Sequence, residues 1–111
     1  MDMGDLALVL GEFEQLVLLA LLRQGREAYG ISICQDIADR TGRDVSLGSV
    51  YKTLDRLETK GLVVSRMGEP TAERGGRRKK YFDLQAIGRR ALKESLASLR
   101  RMTSGLESQL K

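Results

Sequence analysis

The stretch SLGSVYKTLDRLETKG, residues 46–61, has the pattern of a single amphipathic helix. Ser46 suits the N-cap position, and Gly61 suits the position just after the helix end. At about 100° per residue, one side is apolar and the opposite side is polar, cationic and free of acids, with Asp55 and Glu58 pointing sideways. The apolar side consists of Leu47, Val50, Leu54 and Leu57, and the polar side of Ser49, Lys52, Thr53 and Arg56. We expect the apolar side to enter a core and the polar side to remain free for a ligand.

Two further helices are predicted before this stretch. The first begins near Gly11 and ends near Gly25, and its apolar residues extend nearly all round it. Such a helix must be buried, either within its own domain or against a partner. The second runs from about Gly30 to Thr41, and its apolar face consists of Ile31, Cys34, Ile37 and Ala38. This pattern favours a core thiol over a reactive one.

A β-hairpin with a long, basic tip is predicted after the third helix. Two short segments rich in β-forming residues, 62–67 and 79–84, flank a turn-prone loop of about ten residues. The tip is formed by five cations and two glycines: Arg74, Gly75, Gly76, Arg77, Arg78, Lys79 and Lys80. Such cations neutralise nucleic-acid phosphates, and the glycines allow close approach of the backbone. The alternative is a solvated, charged turn.

The remaining residues, 85–111, are predicted to form one long helix with a narrow leucine seam. The seam residues alternate spacings of four and three, with Thr103 filling the missing position. A seam of this kind on a helix that runs past the end of a small domain requires a second chain. The residues expected to form the contact between two subunits are Phe13, Leu16, Leu92, Leu96, Leu99, Met102, Leu106 and Leu110.

The composition argues against most enzyme and membrane classes. The chain of 111 residues has the length of one domain, and it contains no histidine and a single cysteine. It therefore lacks a zinc ligand set and an imidazole base, and with no P-loop or nucleophile motif we predict no catalysis, no metal and no cofactor. The longest apolar run, residues 16–22, is too short to span a membrane, and Asp2 and Asp5 stand where a signal peptide has cations. We expect a cytoplasmic protein.

Charge is distributed unevenly along the chain, whose net charge is +4. Residues 1–61 hold seven Lys or Arg and ten Asp or Glu, whereas residues 62–111 hold twelve and five. The first part therefore carries −3 and the second +7. This asymmetry indicates either a polyanionic partner or a solubilising surface, and composition does not separate the two.

Three helices followed by a hairpin describe a winged helix-turn-helix fold, mainly α with a small β-hairpin. In this fold the third helix enters the major groove of DNA, and the hairpin, or wing, contacts the neighbouring backbone. The predicted DNA contacts are Ser46, Ser49, Lys52, Thr53, Arg56 and the tip residues 74–80. We expect residues 1–84 to form the DNA-binding domain and residues 85–111 to form a dimerisation helix.

The chain resembles the PadR family of transcriptional regulators over about residues 11–92. The segments that carry the resemblance are LVLLALLRQG and AYGISI in the first two helices, GSVYKTLDRLETKGLV in the third, and RGGRRKKYFDL with GRRAL in the wing and last helix. The resemblance implies a homodimeric repressor whose C-terminal helix packs against its mate. It also places Tyr29, Tyr51 and Tyr81 on recurrent tyrosine positions. Tyr29 and Tyr51 join the expected DNA contacts, and for Tyr51 a packing role at the rim of the core is an equal alternative.

The sequence thus predicts a homodimeric repressor that binds double-stranded DNA at an inverted repeat, because a twofold protein matches a twofold site. The main alternative is a winged-helix module for protein–protein interaction, in which the leucine seam is the functional surface and the wing is solvated charge. No residue pattern identifies a small-molecule effector.

Overall fold

The computed structural model describes residues 9–69 and 78–111. The helices are α1 (Glu12–Gln24), α2 (Gly30–Thr41), α3 (Leu47–Thr59) and α4 (Ala86–Thr103), and the strands are β1 (Val63–Met67) and β2 (Lys80–Leu84). Short 3₁₀ turns follow α1 (Gly25–Glu27) and α4 (Glu107–Leu110). This order confirms the predicted winged helix-turn-helix. The wing-tip residues 74–77 lie outside the described residues.

The first three helices begin and end where their capping residues predict. At the start of α3, Ser46 Oγ accepts a hydrogen bond from the Ser49 backbone N–H at 3.1 Å. After α2 and α3, Gly42 and Gly61 have φ angles of 72° and 78°, in the left-handed region that glycine adopts without a steric cost. These boundaries arise from local chemistry and do not depend on tertiary packing.

The hairpin is attached to the helices by backbone hydrogen bonds. Strands β1 and β2 pair antiparallel, with Met67 opposite Lys80 at the end nearest the wing tip. On its other side, β2 meets the segment between α1 and α2, because the Phe82 N–H donates to the Ala28 carbonyl at 2.9 Å. We call residues 66–68 and 78–81 the wing root. Its position relative to the helices is fixed by these bonds on both sides of β2.

One core joins the inner faces of all four helices to the hairpin. Its largest fully buried side chains are Phe82, Leu18, Leu21, Ile33, Leu54, Leu57, Leu62, Val17 and Val50. Each such side chain contributes about 1.5–3 kcal/mol relative to an exposed one. Helix α1 runs through the middle of this core, which agrees with the prediction that it is buried.

Two residues that were predicted to lie in the core are exposed at the surface instead. Leu47, in the first turn of α3, is 38% exposed. In α2, Ile31 is 48% exposed and Ile33 is fully buried instead, because the inner face of this helix is centred on Ile33 and Ile37. Cys34 is half-buried against the core, and its thiol donates to the Val45 carbonyl at 3.1 Å.

The last helix is shorter than predicted. Helix α4 ends at Thr103 and does not continue to Lys111. Ser104 has an extended backbone, and Gly105 follows with a φ of 84°, which breaks the helical hydrogen-bond pattern. Leu106 and Leu110 belong to the 3₁₀ turn that follows. The predicted heptad seam over residues 92–110 is therefore interrupted after Thr103.

The first half of α4 is part of the core. Leu92, predicted as a dimer contact, is only 2% exposed and packs within its own subunit, so that assignment is wrong. The close approach is possible because Gly88 faces the backbone of Leu62, with no room for a Cβ atom. The Leu84 Cδ1 atom would lie 2.9 Å from such a Cβ.

Glu14 forms a buried ionic contact between α1 and the end of α3. Its carboxylate accepts hydrogen bonds from the Gly11 N–H at 2.9 Å and from Lys60 Nζ at 3.0 Å, and Arg56 Nε lies 4.0 Å away. Burial raises the pKa of Glu14, but these hydrogen bonds and the two cations outweigh it, so the pKa lies below its ordinary value. The ionised form therefore stabilises the fold.

We expect Glu14→Gln to lower the free energy of unfolding by about 1–2 kcal/mol at neutral pH, because a charge-assisted contact is lost in a buried position. Since the folded-state pKa is lowered, this stabilisation is present above the unfolded-state pKa and disappears as the pH falls through the folded-state value. Urea unfolding at neutral pH and at about pH 3 measures it. The control is Glu12→Gln, whose side chain is 72% exposed. An equal effect of both variants would contradict the role of Glu14.

Two helical glycines are expected to respond in opposite ways to alanine. Gly88→Ala destabilises the protein by about 2 kcal/mol or more, because the new methyl group meets the Leu62 backbone and α4 must move. Gly48→Ala, with nothing within 4 Å of its added Cβ, is neutral or stabilising by up to about 1 kcal/mol. Thermal unfolding of both variants checks this pair, and a Gly88→Ala variant as stable as the wild type would refute the close contact.

Candidate nucleic-acid interface

The solvent-exposed side of α3 differs from the predicted one. Ser49, Lys52 and Arg56 are exposed as expected, whereas Thr53 is only 2% exposed. Asp55 is also exposed, next to Lys52 on the helix surface, so the accessible side is not free of acids. Thr53 is therefore corrected from a DNA contact to a buried residue.

The start of α1 explains the burial of Thr53. Glu14 contacts the end of α3 through Lys60 and Arg56, which brings α1 against the flank of α3 that carries Thr53. Arg56 Nη2 donates to Thr53 Oγ1 at 3.1 Å and covers it further. Arg56 is therefore held at the edge of the exposed side by two contacts. Its side chain remains 57% exposed.

An open groove runs between α3 and the start of α1. Its polar wall includes hydroxyls and cations of the first turns of α3, and its apolar wall includes Phe13. The lining residues are Phe13, Arg43, Asp44, Val45, Ser46, Ser49, Lys52, Thr53 and Arg56. Phe13 and Leu16, both predicted as dimer contacts, are half-buried and pack against the core of their own subunit.

Gly48 is a feature of this interface that the sequence pattern did not single out. It lies in the first turn of α3, beside Ser49 and one turn before Lys52, and is exposed. The space where its Cβ would lie is open. A glycine here allows a ligand to approach the helix backbone closely, near the N–H groups that favour anions. The sequence signal for this feature is a glycine in the first turn of the helix that was predicted to enter the major groove.

Tyr51 packs on the start of α2. A Cβ atom at Gly30 would lie 2.5 Å from Tyr51 Cζ and Oη, so the ring rests on the Gly30 backbone. The side chain nevertheless keeps 40% of its surface exposed. Tyr51 thus has the packing role that was one of its two predicted alternatives, and the other, a DNA contact through the exposed part of the ring, stays a prediction.

Cations of the wing root lie on the rings of Tyr81, in the wing root, and of Tyr29, just before α2. Tyr29 and Tyr81 form an isolated β-bridge, and their rings meet edge to face with centroids 5.9 Å apart. Lys79 Nζ lies 4.5 Å from the Tyr29 ring centroid, and the Arg66 guanidinium lies 4.7 Å from that of Tyr81. Arg66 Nη2 also donates to the Arg26 carbonyl at 2.6 Å. Arg66, which the sequence pattern did not single out, therefore links the wing to the turn after α1.

The predicted wing cations are only partly within the described residues. Arg78, Lys79 and Lys80 are exposed at the start of β2, whereas Arg74, Gly75, Gly76 and Arg77 lie outside the described range. Lys79 and Lys80 each lie over an aromatic ring, of Tyr29 and Phe82 respectively. These ring contacts leave both ammonium groups accessible at the surface.

A second exposed surface is apolar and lies at the end of α4. Leu99 and Met102 are 56% and 74% exposed, and in the following turn Leu106 and Leu110 are 42% and 65% exposed. We call these four residues the tail patch. Leu96, one turn earlier, is half-buried and packs against the core. Of the predicted dimer contacts, the tail patch is thus the part that remains open in a single subunit.

Within residues 9–69 and 78–111, no group of three or more His, Cys, Asp or Glu side chains is arranged to hold a metal ion. In the same part of the chain, no helix combines the length and apolar character needed to cross a membrane.

Comparison with known proteins places this geometry in a family. A family model described as "Transcriptional regulator PadR-like family" matches residues 18–94, more than half of the chain. A PadR family transcriptional regulator from Eggerthella lenta is 30% identical, with a TM-score of 0.65, and the match covers 90% of this chain and 87% of that one. No relative among curated protein sequences matches the chain.

Two further crystal structures have the same fold. A PadR-like transcription factor from Bacteroides fragilis is 26% identical, with a TM-score of 0.69 and coverage of 86% of this chain and 87% of that one. A PadR family regulator from Clostridium difficile is 22% identical, with a TM-score of 0.70 and coverage of 89% and 99%. Together with the family model, the sequence similarity to the Eggerthella lenta protein decides the assignment. The chain belongs to the PadR-like family of transcriptional regulators.

Proposed function

We propose that this protein is a homodimeric repressor, without catalytic activity, that binds an inverted-repeat operator in duplex DNA in the cytoplasm. The observation that carries the proposal is the exposed first half of α3, where Ser49 and Lys52 flank the open backbone at Gly48. An α-helix of this kind fits the major groove, and hydroxyl and ammonium groups reach base edges and phosphates.

The wing root supports the same ligand. Arg78, Lys79 and Lys80 place three exposed cations at the point where β2 begins. In a winged helix this part of the hairpin lies beside the backbone of the DNA contacted by α3. The two surfaces then have different roles, since α3 supplies base contacts together with some phosphate contacts, and the wing supplies further salt-dependent affinity. The tip cations Arg74 and Arg77 extend this second surface in the proposal.

Dimer formation through residues 85–111 is the second part of the proposal. The tail patch exposes four large apolar side chains at the end of α4, which is costly for an isolated subunit. Pairing of two tail patches buries them and places two α3 helices on one face, as a twofold operator requires. A change in the packing of the two α4 helices would alter the separation of the α3 helices, which offers a route for an effector.

We expect Lys52→Ala to weaken binding to selected and random duplexes alike and to reduce the slope of log K against log salt by about one. Ser49→Ala and Arg56→Ala are expected to reduce the preference for the selected duplex, because they remove groups near the base edges. Fluorescence anisotropy on a duplex selected from a random pool measures all three variants. The control is Lys111→Ala at the exposed chain end.

A wild-type protein that binds every duplex weakly and equally would reject the proposed operator recognition and favour a protein-interaction module. An unchanged slope for Lys52→Ala would show instead that the exposed side of α3 does not contact phosphate.

We expect Leu99→Glu to weaken the dimer about ten-fold or more, because a charge is placed in the apolar contact. Sedimentation equilibrium across a concentration series measures the dissociation constant. Ala97→Glu is the matched control, since it adds the same charge on the opposite side of α4. A wild-type protein that stays monomeric at every concentration, or two variants with equal effects, would contradict a dimer formed through the tail patch.

A further inference from the structure

Helix α4 carries a row of exposed cations that neither the core nor the tail patch uses. Its 18 residues include five cations and one acid, Glu94. We call the cations, all of them exposed, the α4 cation face: Arg89, Arg90, Lys93, Arg100 and Arg101. Within the described part of the chain, none of the five forms an ion pair; the ion pairs present there involve Arg23, Arg40, Arg43, Arg56, Lys60 and Arg66.

The five cations lie on one side of the helix. At about 100° per residue, they fall within about 120° of one another, on the side opposite the buried residues Gly88, Ala91 and Leu92. At about 1.5 Å per residue, they extend over about 18 Å of the helix axis. Leu99 and Met102 of the tail patch lie on another side, continuous with the core residues. The cation face and the tail patch are therefore separate surfaces.

Part of this arrangement lowers the stability of the helix that carries it, whereas Arg100 and Arg101, in the last turn, suit the helix dipole. Arg89 and Arg90 lie close to the N-terminus of α4, where the helix dipole disfavours positive charge. Arg89 and Lys93 are four residues apart, a spacing at which like charges repel. Since no described acid forms an ion pair with these cations, the charge of Arg89 and Lys93 is better explained by a ligand than by folding. The ligand must carry closely spaced negative charges.

Two sources of such charge can be compared. A second copy of α4 offers a single acid for five cations, so pairing of two α4 helices would leave most of the charge uncompensated. Duplex DNA offers a phosphate charge for about every 1.7 Å of its axis, enough for the whole face. Only one residue, Gln85, separates α4 from the end of β2, which is the end opposite the wing root, so the cation face begins beyond the hairpin from the basic wing root.

We propose that the α4 cation face is a second DNA-contact surface, which binds the phosphate backbone of the duplex that flanks the operator. The proposal rests on the proposed function, because it extends the same DNA contact beyond α3 and the wing. The cations act as point charges towards phosphate and read no bases. The face therefore adds salt-dependent affinity that is independent of the flanking sequence.

The test compares two duplexes that share one selected site, of about 20 and about 40 base pairs, with arbitrary flanking sequence in the longer one. The wild type is expected to bind the longer duplex more tightly and with a steeper salt slope. The triple variant Arg89→Gln, Lys93→Gln and Arg100→Gln is expected to match the wild type on the short duplex. On the longer duplex it should lose slope by about 0.9 for each cation that contacts phosphate.

A charge-retaining variant, Arg89→Lys with Arg100→Lys, is the matched control and should keep the wild-type slope on both duplexes. A triple variant with wild-type affinity and slope on the longer duplex would overturn the inference while leaving the proposed operator binding intact. A wild type that binds neither duplex specifically would refute the proposed function itself. If the triple variant kept wild-type DNA binding on both duplexes and lost only the binding of a protein, an acidic protein partner would be indicated. That result would also overturn the inference.

Discussion

The packing of α3 beneath α1 is the constraint on which the rest of the structure depends. Val50, Leu54 and Leu57 of α3 are fully buried in the core, and this burial sets the rotation of the helix about its own axis. The charged contact of Glu14 with Lys60 then fixes the end of α3 against the start of α1. These two contacts decide which side chains α3 presents to solvent. Breaking them is unfavourable, because it would expose apolar surface and separate a partly desolvated ion pair.

The hairpin is positioned by a different kind of contact. Backbone hydrogen bonds tie β2 to the segment before α2, and the edge-to-face tyrosine rings with their neighbouring cations add lateral support at the wing root. The wing is thus held at the same end of the molecule as the start of α2, where Tyr51 of α3 rests on Gly30. A fold of this family serves many regulators, so the fold does not itself identify a ligand, and the proposed DNA contact rests on the residues of α3 and the wing.

Helix α4 combines three surfaces on one element. Its first half closes the core through Gly88 and Leu92, its end exposes the tail patch, and its outer side carries five of the ten Lys and Arg residues in the described part of residues 62–111. This division explains the charge asymmetry of the sequence in structural terms. The positive charge of the described second half is concentrated at the wing root and on one side of a single helix, whereas three acids of the first half, Glu12, Glu14 and Asp36, form ion pairs within the described residues.

The sequence by itself determined the order of the elements, the limits of the first three helices and the family, because caps, turn glycines and hydrophobic period are local properties. It also located the exposed cations Arg78, Lys79 and Lys80 at the start of β2. Tertiary structure alone decided that Thr53 is buried and Asp55 exposed, because the position of α1 against α3 sets the boundary of the exposed side. The helical period in the sequence locates that boundary only to within about one residue. It likewise decided that Leu92 belongs to the core, because the contact depends on how closely Gly88 lets α4 approach Leu62. The break at Gly105 was local, but the continuing leucine spacing obscured it.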